Sequence, residues 1–484
     1  MTPHARTRFQ NLSRLLPGIM LGALAALGTG CESSSSTGES DALRGVTAAP
    51  PTPADIAGTY IAVICAADMG ATAFADGVLA RRSESDRDMF ALVRLPLAPR
   101  PGQEQRWSTG FVSLEVSNSV IGSPTSLAIT RDGKTAYVAE SRGPAGPGAR
   151  TMRDLAAGSR VSIIDLSNPA QPKVTGRIDV GGQPTSVDVH PSGRFVAIAR
   201  VGGGQSLVIV PITPDGQPGA ILTWSLPAID PDPDIIADKG LGKVSSVVWH
   251  PDSRHLAVTV PSADRVVFYE FTPDGNDGAP GIALWGQPVP TGPHPLSGQF
   301  TPDGKDFITT DLHWGPNVDG YLVGAPQGSL SVIRLAAVPS GNAAKHELIS
   351  SATVGISPEG LAISPDGRWV VTANLKRAML PDGDPRMTPG GSLSLLSRDP
   401  ATGTLTAHAE IPINAMPEGI AFDTAGRHII VPQFRTFDPG AVDGELAFFK
   451  LVPAGVTSPD AGPTLIPANF TVGVGIGPHG VLAR

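Results

Sequence analysis

Cysteine is nearly missing from this chain of 484 residues: there are two. That excludes a disulfide framework and any Cys-rich zinc or iron–sulfur site. Aromatic residues make up only 5%, too few for a typical carbohydrate-stacking surface. Charged residues reach 17%, against about 25% in an average domain. The 36 Lys and Arg do not outnumber the 44 Asp and Glu, so the net charge is −8. Without a basic excess the chain is not built for nucleic acid. It has no Gly-rich phosphate loop, no Gly-x-Ser-x-Gly elbow, no His-Glu-x-x-His and no Cys-x-x-Cys-His. Trp-Asp blade endings and long helical periodicity are absent too.

What is abundant is turn and strand material: 57 Gly, 48 Pro and 41% hydrophobic residues. The hydrophobic share is enough for a large core, so disorder throughout is excluded.

The first 31 residues have the form of an export signal. Arg6, Arg8 and Arg14 precede an apolar stretch, Leu15 to Leu27, of 13 residues. That suits a signal and is too short for a permanent membrane span. The stretch runs into Leu27-Gly28-Thr29-Gly30-Cys31, which resembles the lipobox of bacterial lipoproteins. The resemblance implies lipidation at Cys31. Glu32 in place of the Asp of an inner-membrane retention signal points to the outer membrane. Residues 32–57 are rich in Ser, Thr, Pro and Ala, the composition of a flexible tether. The expected arrangement is a signal at 1–31, a tether at 32–57 and a folded domain at 58–484. Cys65, inside the run Tyr60-Ile61-Ala62-Val63-Ile64-Cys65, is expected to be buried and inert.

The domain is a repeat. Pro, two small or polar residues, an alternating strand and a turn recur at Pro124–Gly133, Pro184–Gly193, Pro295–Gly304, Pro358–Gly367 and Pro417–Gly426, with a weaker copy at Val244–Ser253 that lacks the Pro. A seventh copy starts at Pro478 and stops with the sequence. Turn residues step by 60, 60, 51, 63 and 59. Period-2 alternation makes half-buried strands, and Asp-Gly closes hairpins. Four such strands per copy make a propeller blade. The fold expected is all-β: a seven-bladed β-propeller of four-stranded antiparallel blades. Its last blade is closed jointly by N- and C-terminal strands, with Gly58–Cys65, Phe90–Leu97 and Phe111–Val116 completing what Pro478 begins.

Residues Ser364-Pro365-Asp366-Gly367 with Val370-Val371-Thr372-Ala373-Asn374, and Tyr137-Val138-Ala139-Glu140, resemble the YVTN family of propellers and, more broadly, the lactonase-like propellers. Asp399-Pro400-Ala401-Thr402-Gly403-Thr404-Leu405-Thr406 is similar to the outer hairpin of lactonase-like blades. The resemblance implies the fold. It also implies a range of roles that includes lactone hydrolysis and service as a redox-complex subunit. Such blades often place Pro-Arg-His before the inner strand. The Arg place is held here by Thr125, Thr185, Ser245, Leu296, Glu359, Glu418 and His479.

In a propeller the starts of the inner strands ring the mouth of the central channel. Glu359, Glu418 and His479, from neighbouring blades, are therefore candidates for acid–base chemistry or for a divalent cation. Long connections at 141–159, 313–328, 375–390 and 434–444 fall on the same face, the usual place for binding. They bring Arg377 and Arg435, with His313, Glu140 and Arg200, as candidate ligand-binding residues. His190 and His250, on the opposite face, read as turn packing. Three functions follow from these residues. The first is a lipid-anchored envelope module, held to the membrane through Cys31, that binds a protein partner or small acidic ligand on its loop-rich face. The second is a lactonase-like hydrolase at the channel mouth. The third is a scaffold in an envelope redox complex.

Overall fold

A computed structural model describes residues 43, 45–79, 83, 85–98, 106–107, 111–120, 122–202, 205–226, 244–275, 278–337, 341–438 and 444–484. Residues 1–31, read above as an export signal ending at Cys31, and the first part of the stretch read as a tether lie outside the described residues.

Seven antiparallel sheets follow one another as the repeat requires. The first blade runs Leu127–Ile129, Thr135–Ala139, Arg160–Asp165 and Lys173–Asp179 from the inside out. The fifth is the most regular, with Pro358–Ile363, Trp369–Asn374, Gly391–Arg398 and Leu405–Ile413. In the seventh, Pro478–Ala483 is the inner strand and pairs antiparallel with Tyr60–Cys65, which leads outward to Met89–Arg94 and Val112–Glu115. The protein is a seven-bladed propeller, and its closing blade is shared between the two ends of the fold. The closure is hydrogen-bonded at its rim. Tyr60 and Arg484 exchange backbone bonds of 2.9 and 3.0 Å. The Tyr60 hydroxyl donates to the Gly133 carbonyl of the first blade at 2.6 Å. One addition was not legible in the repeat: Arg106–Trp107 lies parallel to Thr464–Gly473 as an extra outer strand of the sixth blade.

Apolar side chains from facing sheets fill the gaps between blades. Ile61, Val63 and Cys65 meet Ile430, Leu446 and Phe448 across the closing gap. Cys65 is fully buried there, and burial pushes its thiol up to about 12. Part of the stretch composed like a tether is seated on this body. Leu43 is packed with Ala362, Phe422 and Leu451, and Ile56 with the closing blade. The Ala57 amide donates to Asp423 at 3.1 Å.

Candidate functional site

The inner strands are sheet edges that face the channel. An edge tolerates a Pro, which has no N–H to leave unpaired. Immediately after that Pro the register slips. In the fifth blade Pro358 faces Asn374 and Gly360 faces Ala373, so Glu359 is an extra residue. The same slip follows Pro184 and Pro295, and it falls at His479 between the pairs Cys65–Pro478 and Val63–Val481. A bulge re-aims the side chain it carries. Here it turns the residue after Pro toward the mouth, where Thr185, Leu296 and Glu359 line one cavity of about 650 Å³.

Glycine after the acid lets neighbouring inner strands close up. A Cβ on Gly360 would sit 2.5 Å from the Glu418 carbonyl oxygen, and one on Gly419 would sit 1.9 Å from the His479 carbonyl. Glu359, Glu418 and His479 therefore follow one another around the axis on backbones in direct contact. Ser297 extends the series by donating to the Glu359 carbonyl at 2.6 Å.

All three side chains are buried, with exposures of 2%, 0% and 0%. They are also unsatisfied: among the described residues, Glu359 Oε2, both Glu418 oxygens and both His479 nitrogens find no hydrogen-bond partner. Burial pushes Glu359 up to about 8. It raises Glu418 well above the carboxylate range, and the charge of Glu359 adds to this. Two buried carboxyls in reach of each other resist joint ionisation, so one holds a proton at neutral pH. Burial also lowers His479 to about 3, which leaves a neutral imidazole. The trio offers a proton donor and several proton acceptors in a dry setting.

The dryness comes from a cap. The long connections expected to form an open binding face instead pack together over the mouth. Met69 and Ala73 from the segment after the first strand join Leu155, Trp314, Leu322, Met379 and Phe434 in a single apolar cluster. Phe434 meets the His479 ring edge-on at 6.3 Å, and Trp314 Nε1 donates to Ser357 at 2.9 Å.

The candidate ligand-binding residues fall in several places. Arg377 Nε donates to the Val323 carbonyl at 2.8 Å. Arg435 donates to the Ala378 and Leu380 carbonyls at 3.0 and 2.8 Å and pairs with Asp382 at 2.6 Å. Both arginines stitch the cap. Arg200 holds the carbonyls of Gln205 and Val180. His313 bonds Ser329 at 3.0 Å beside an adjoining cavity of about 360 Å³, which shares Pro261, His294, Trp314 and Tyr321 with the mouth cavity but does not reach Glu359. Glu140 faces Arg160 at 3.5 Å on a cavity of about 280 Å³ in a third place. Thus Glu359, Glu418 and His479 are brought together, and the five others are not.

The nitrogens and oxygens of the trio are not drawn into a ready cation site. Among the described residues one set of three or more such groups lies within 4.8 Å: His250, Asp252 and His255, at a hairpin turn on the opposite face. Asp252 bonds His250 at 2.9 Å and His255 at 2.6 Å. His250 also bonds the Gly304 carbonyl of the next blade at 2.8 Å. The repeat gave no sign of His255: the same strand-opening place carries Thr135, Phe195, Asp306, Trp369 and His428 in other blades.

His294 is a second feature of the mouth. It is held at φ +59°, its amide donates to Asp264 at 2.7 Å, and burial lowers its ring to about 4.

A family model, described as lactonase, 7-bladed beta-propeller, matches residues 108–435, more than half of the chain. The chain belongs to this lactonase family of propellers. No curated protein matches the lactonase-family chain by sequence. Solved structures do. The periplasmic gluconolactonase of Pseudomonas aeruginosa is 18% identical over 87% of this chain and 98% of its own, with a TM-score of 0.55. A provisionally assigned 6-phosphogluconolactonase from Bacteroides uniformis is 15% identical over 88% and 100%, with a TM-score of 0.54. At these identities the structures bear on the fold of this family member.

Proposed function

We propose that this family member hydrolyses a lactone, using Glu359, Glu418 and His479 beneath the cap. One observation carries the reading: five polar atoms of three ionisable side chains are buried at one end of the channel without partners among the described residues. An orphaned buried carboxyl is costly to the fold, and perturbed groups of this kind concentrate where chemistry is done. Membership of the lactonase family supports the same reading over that of a binding module. The packing of Leu155, Trp314, Met379 and Phe434 from the long connections into one cluster supports it too.

In this scheme the lactone carbonyl sits against Glu359 in the mouth cavity. His479, a neutral imidazole, takes a proton from water as its oxygen bonds to the carbonyl carbon. The protonated acid then gives its proton to the ring oxygen as the acyl C–O bond breaks. Water and lactone become a hydroxy acid, and the lost and gained protons balance. The apolar cap strengthens each charge interaction by excluding solvent.

The test is hydrolysis of a lactone panel by the full chain, with and without added Mg²⁺, Ca²⁺ or Zn²⁺. Loss of turnover in Glu418→Gln, with the fold retained, is the expected result. No turnover on any lactone by folded wild-type protein would sink the reading and return the propeller to a binding role.

We further propose that the chain is exported and anchored through a lipid on Cys31, as residues 1–31 suggest. The periplasmic location named for one structural neighbour is in keeping with this. Radiolabelled palmitate should enter wild type and not Cys31→Ala. Labelling of both would refute the anchor.

A further inference from the structure

The mouth cavity has a composition of its own. Its walls carry Met69, Phe74, Met152, Leu296, Trp314 and Tyr321. Three are aromatic, in a chain where aromatics are scarce. Two are methionines, whose flexible side chains fit irregular apolar shapes. Among the described lining residues the acids and bases are few: Glu359, His294, and the pair Asp76 and Arg153. Arg153 is exposed. His294 is neutral, since burial lowers it to about 4.

Three other cations of this face are occupied. Arg200, Arg377 and Arg435 donate to backbone carbonyls of loops. A phosphate or carboxylate placed in the cavity would lack a buried cation. It would also face the acid pair, where a further negative charge is unfavourable. A volume of about 650 Å³ is in the range that holds a drug-sized molecule, more than a bare sugar lactone fills.

We propose that the cavity takes an uncharged lactone with an apolar substituent of ring size or larger, and rejects phosphorylated and polyhydroxylated sugar lactones. This rests on the hydrolase reading for the word lactone, and on the cavity alone for the apolar, uncharged character. Thr185, Ser245 and Gln183 supply hydrogen-bonding groups for the lactone ring, while Phe74, Trp314 and Tyr321 take the substituent.

Hydrolysis-resistant lactams test the two parts separately. Binding of a phenyl-substituted valerolactam, of gluconolactam and of its 6-phosphate to the full chain is measured by calorimetry. Burying one phenyl ring predicts about 30-fold tighter binding of the phenyl lactam than of gluconolactam, with the 6-phosphate weakest. Phe74→Ala, on a short helix at the rim, should cost the phenyl lactam about 5-fold or more and leave gluconolactam unchanged. Trp314→Ala should do the same more strongly. Equal or tighter binding of gluconolactam or the 6-phosphate would overturn the inference, and so would no binding of the phenyl lactam. Turnover of the matching lactones is scored apart. Phenyl-lactam binding without hydrolysis of any lactone would leave the cavity's selectivity standing and remove the enzyme.

Discussion

Replacing Glu359 by Gln should make the propeller more stable at alkaline pH, by an amount the structure sets. A carboxyl whose pKa is higher in the fold than in the unfolded chain gives its full stability below the unfolded value. That stability is lost as pH rises through the folded value. For Glu359 the window runs from about 4.5 to about 8. At roughly 1.4 kcal/mol per tenfold, the loss at its upper end is about 5 kcal/mol. Glu418 adds to it in the same direction. Glutamine has nearly the same shape and cannot ionise, so the variant escapes the Glu359 share. A chain of this length has an unfolding entropy of about 1 kcal/mol/K, which converts the gain to about 5 °C in Tm at pH 8. The assay is thermal unfolding of wild type and Glu359→Gln from pH 5 to 8.5. Glu410→Gln serves as a control on a half-exposed acid. The two curves should meet near pH 5 and separate steadily above it, while lactone turnover is lost in the variant. Parallel curves across the range would refute the reasoning, because they would mean that Glu359 ionises as easily in the fold as outside it.

The imidazole behaves in the opposite sense. His479 is held neutral, so its contribution is complete above about 6.5 and is lost as pH falls toward about 3; His479→Gln should flatten the acid limb of the Tm–pH curve. On the opposite face Asp306 lies between Arg334 and the buried Arg398, and Asp306→Ala should cost about 3–5 kcal/mol in urea unfolding by stranding a guanidinium. Gly419→Ala must push the sixth and seventh inner strands apart, with a loss of about 1–3 kcal/mol and a fall in turnover larger than its fall in stability. Arg435→Met should release residues 375–390 to limited proteolysis while moving the Tm of the ring little.

The fold was readable because each blade is specified locally. An alternating strand and a turn recur in six places, with an edge Pro in five of them and Asp-Gly in three, and the unfinished copy at Pro478 says where the ring closes. Glu359, Glu418 and His479 were readable for a related reason: they hold one place in that pattern, and the pattern carries that place to the channel mouth. The connections obey no period. Nothing in 313–328 or 375–390 announces that Trp314 and Met379 would meet over the mouth. Nor does anything there show that Arg377 and Arg435 would hold carbonyls rather than a ligand. His255 escaped because its partner, like that of His428, is an Asp set by the turn of its own blade rather than by the alternation of the strand.

Ile61 pairs with Ala483, a partner more than four hundred positions downstream. Bringing such distant ends together is slow and entropically expensive, about 5 kcal/mol for a loop of that span. It falls naturally at the end of folding, once six blades offer it a frame. His479 rides on the strand that makes this last pairing, while Glu359 and Glu418 belong to blades already complete. An unfinished ring therefore holds two acids and no imidazole. Competence at the mouth becomes a certificate that the whole circle has shut, and any lesion that keeps the ring ajar, however remote, should silence the site before it unfolds the protein.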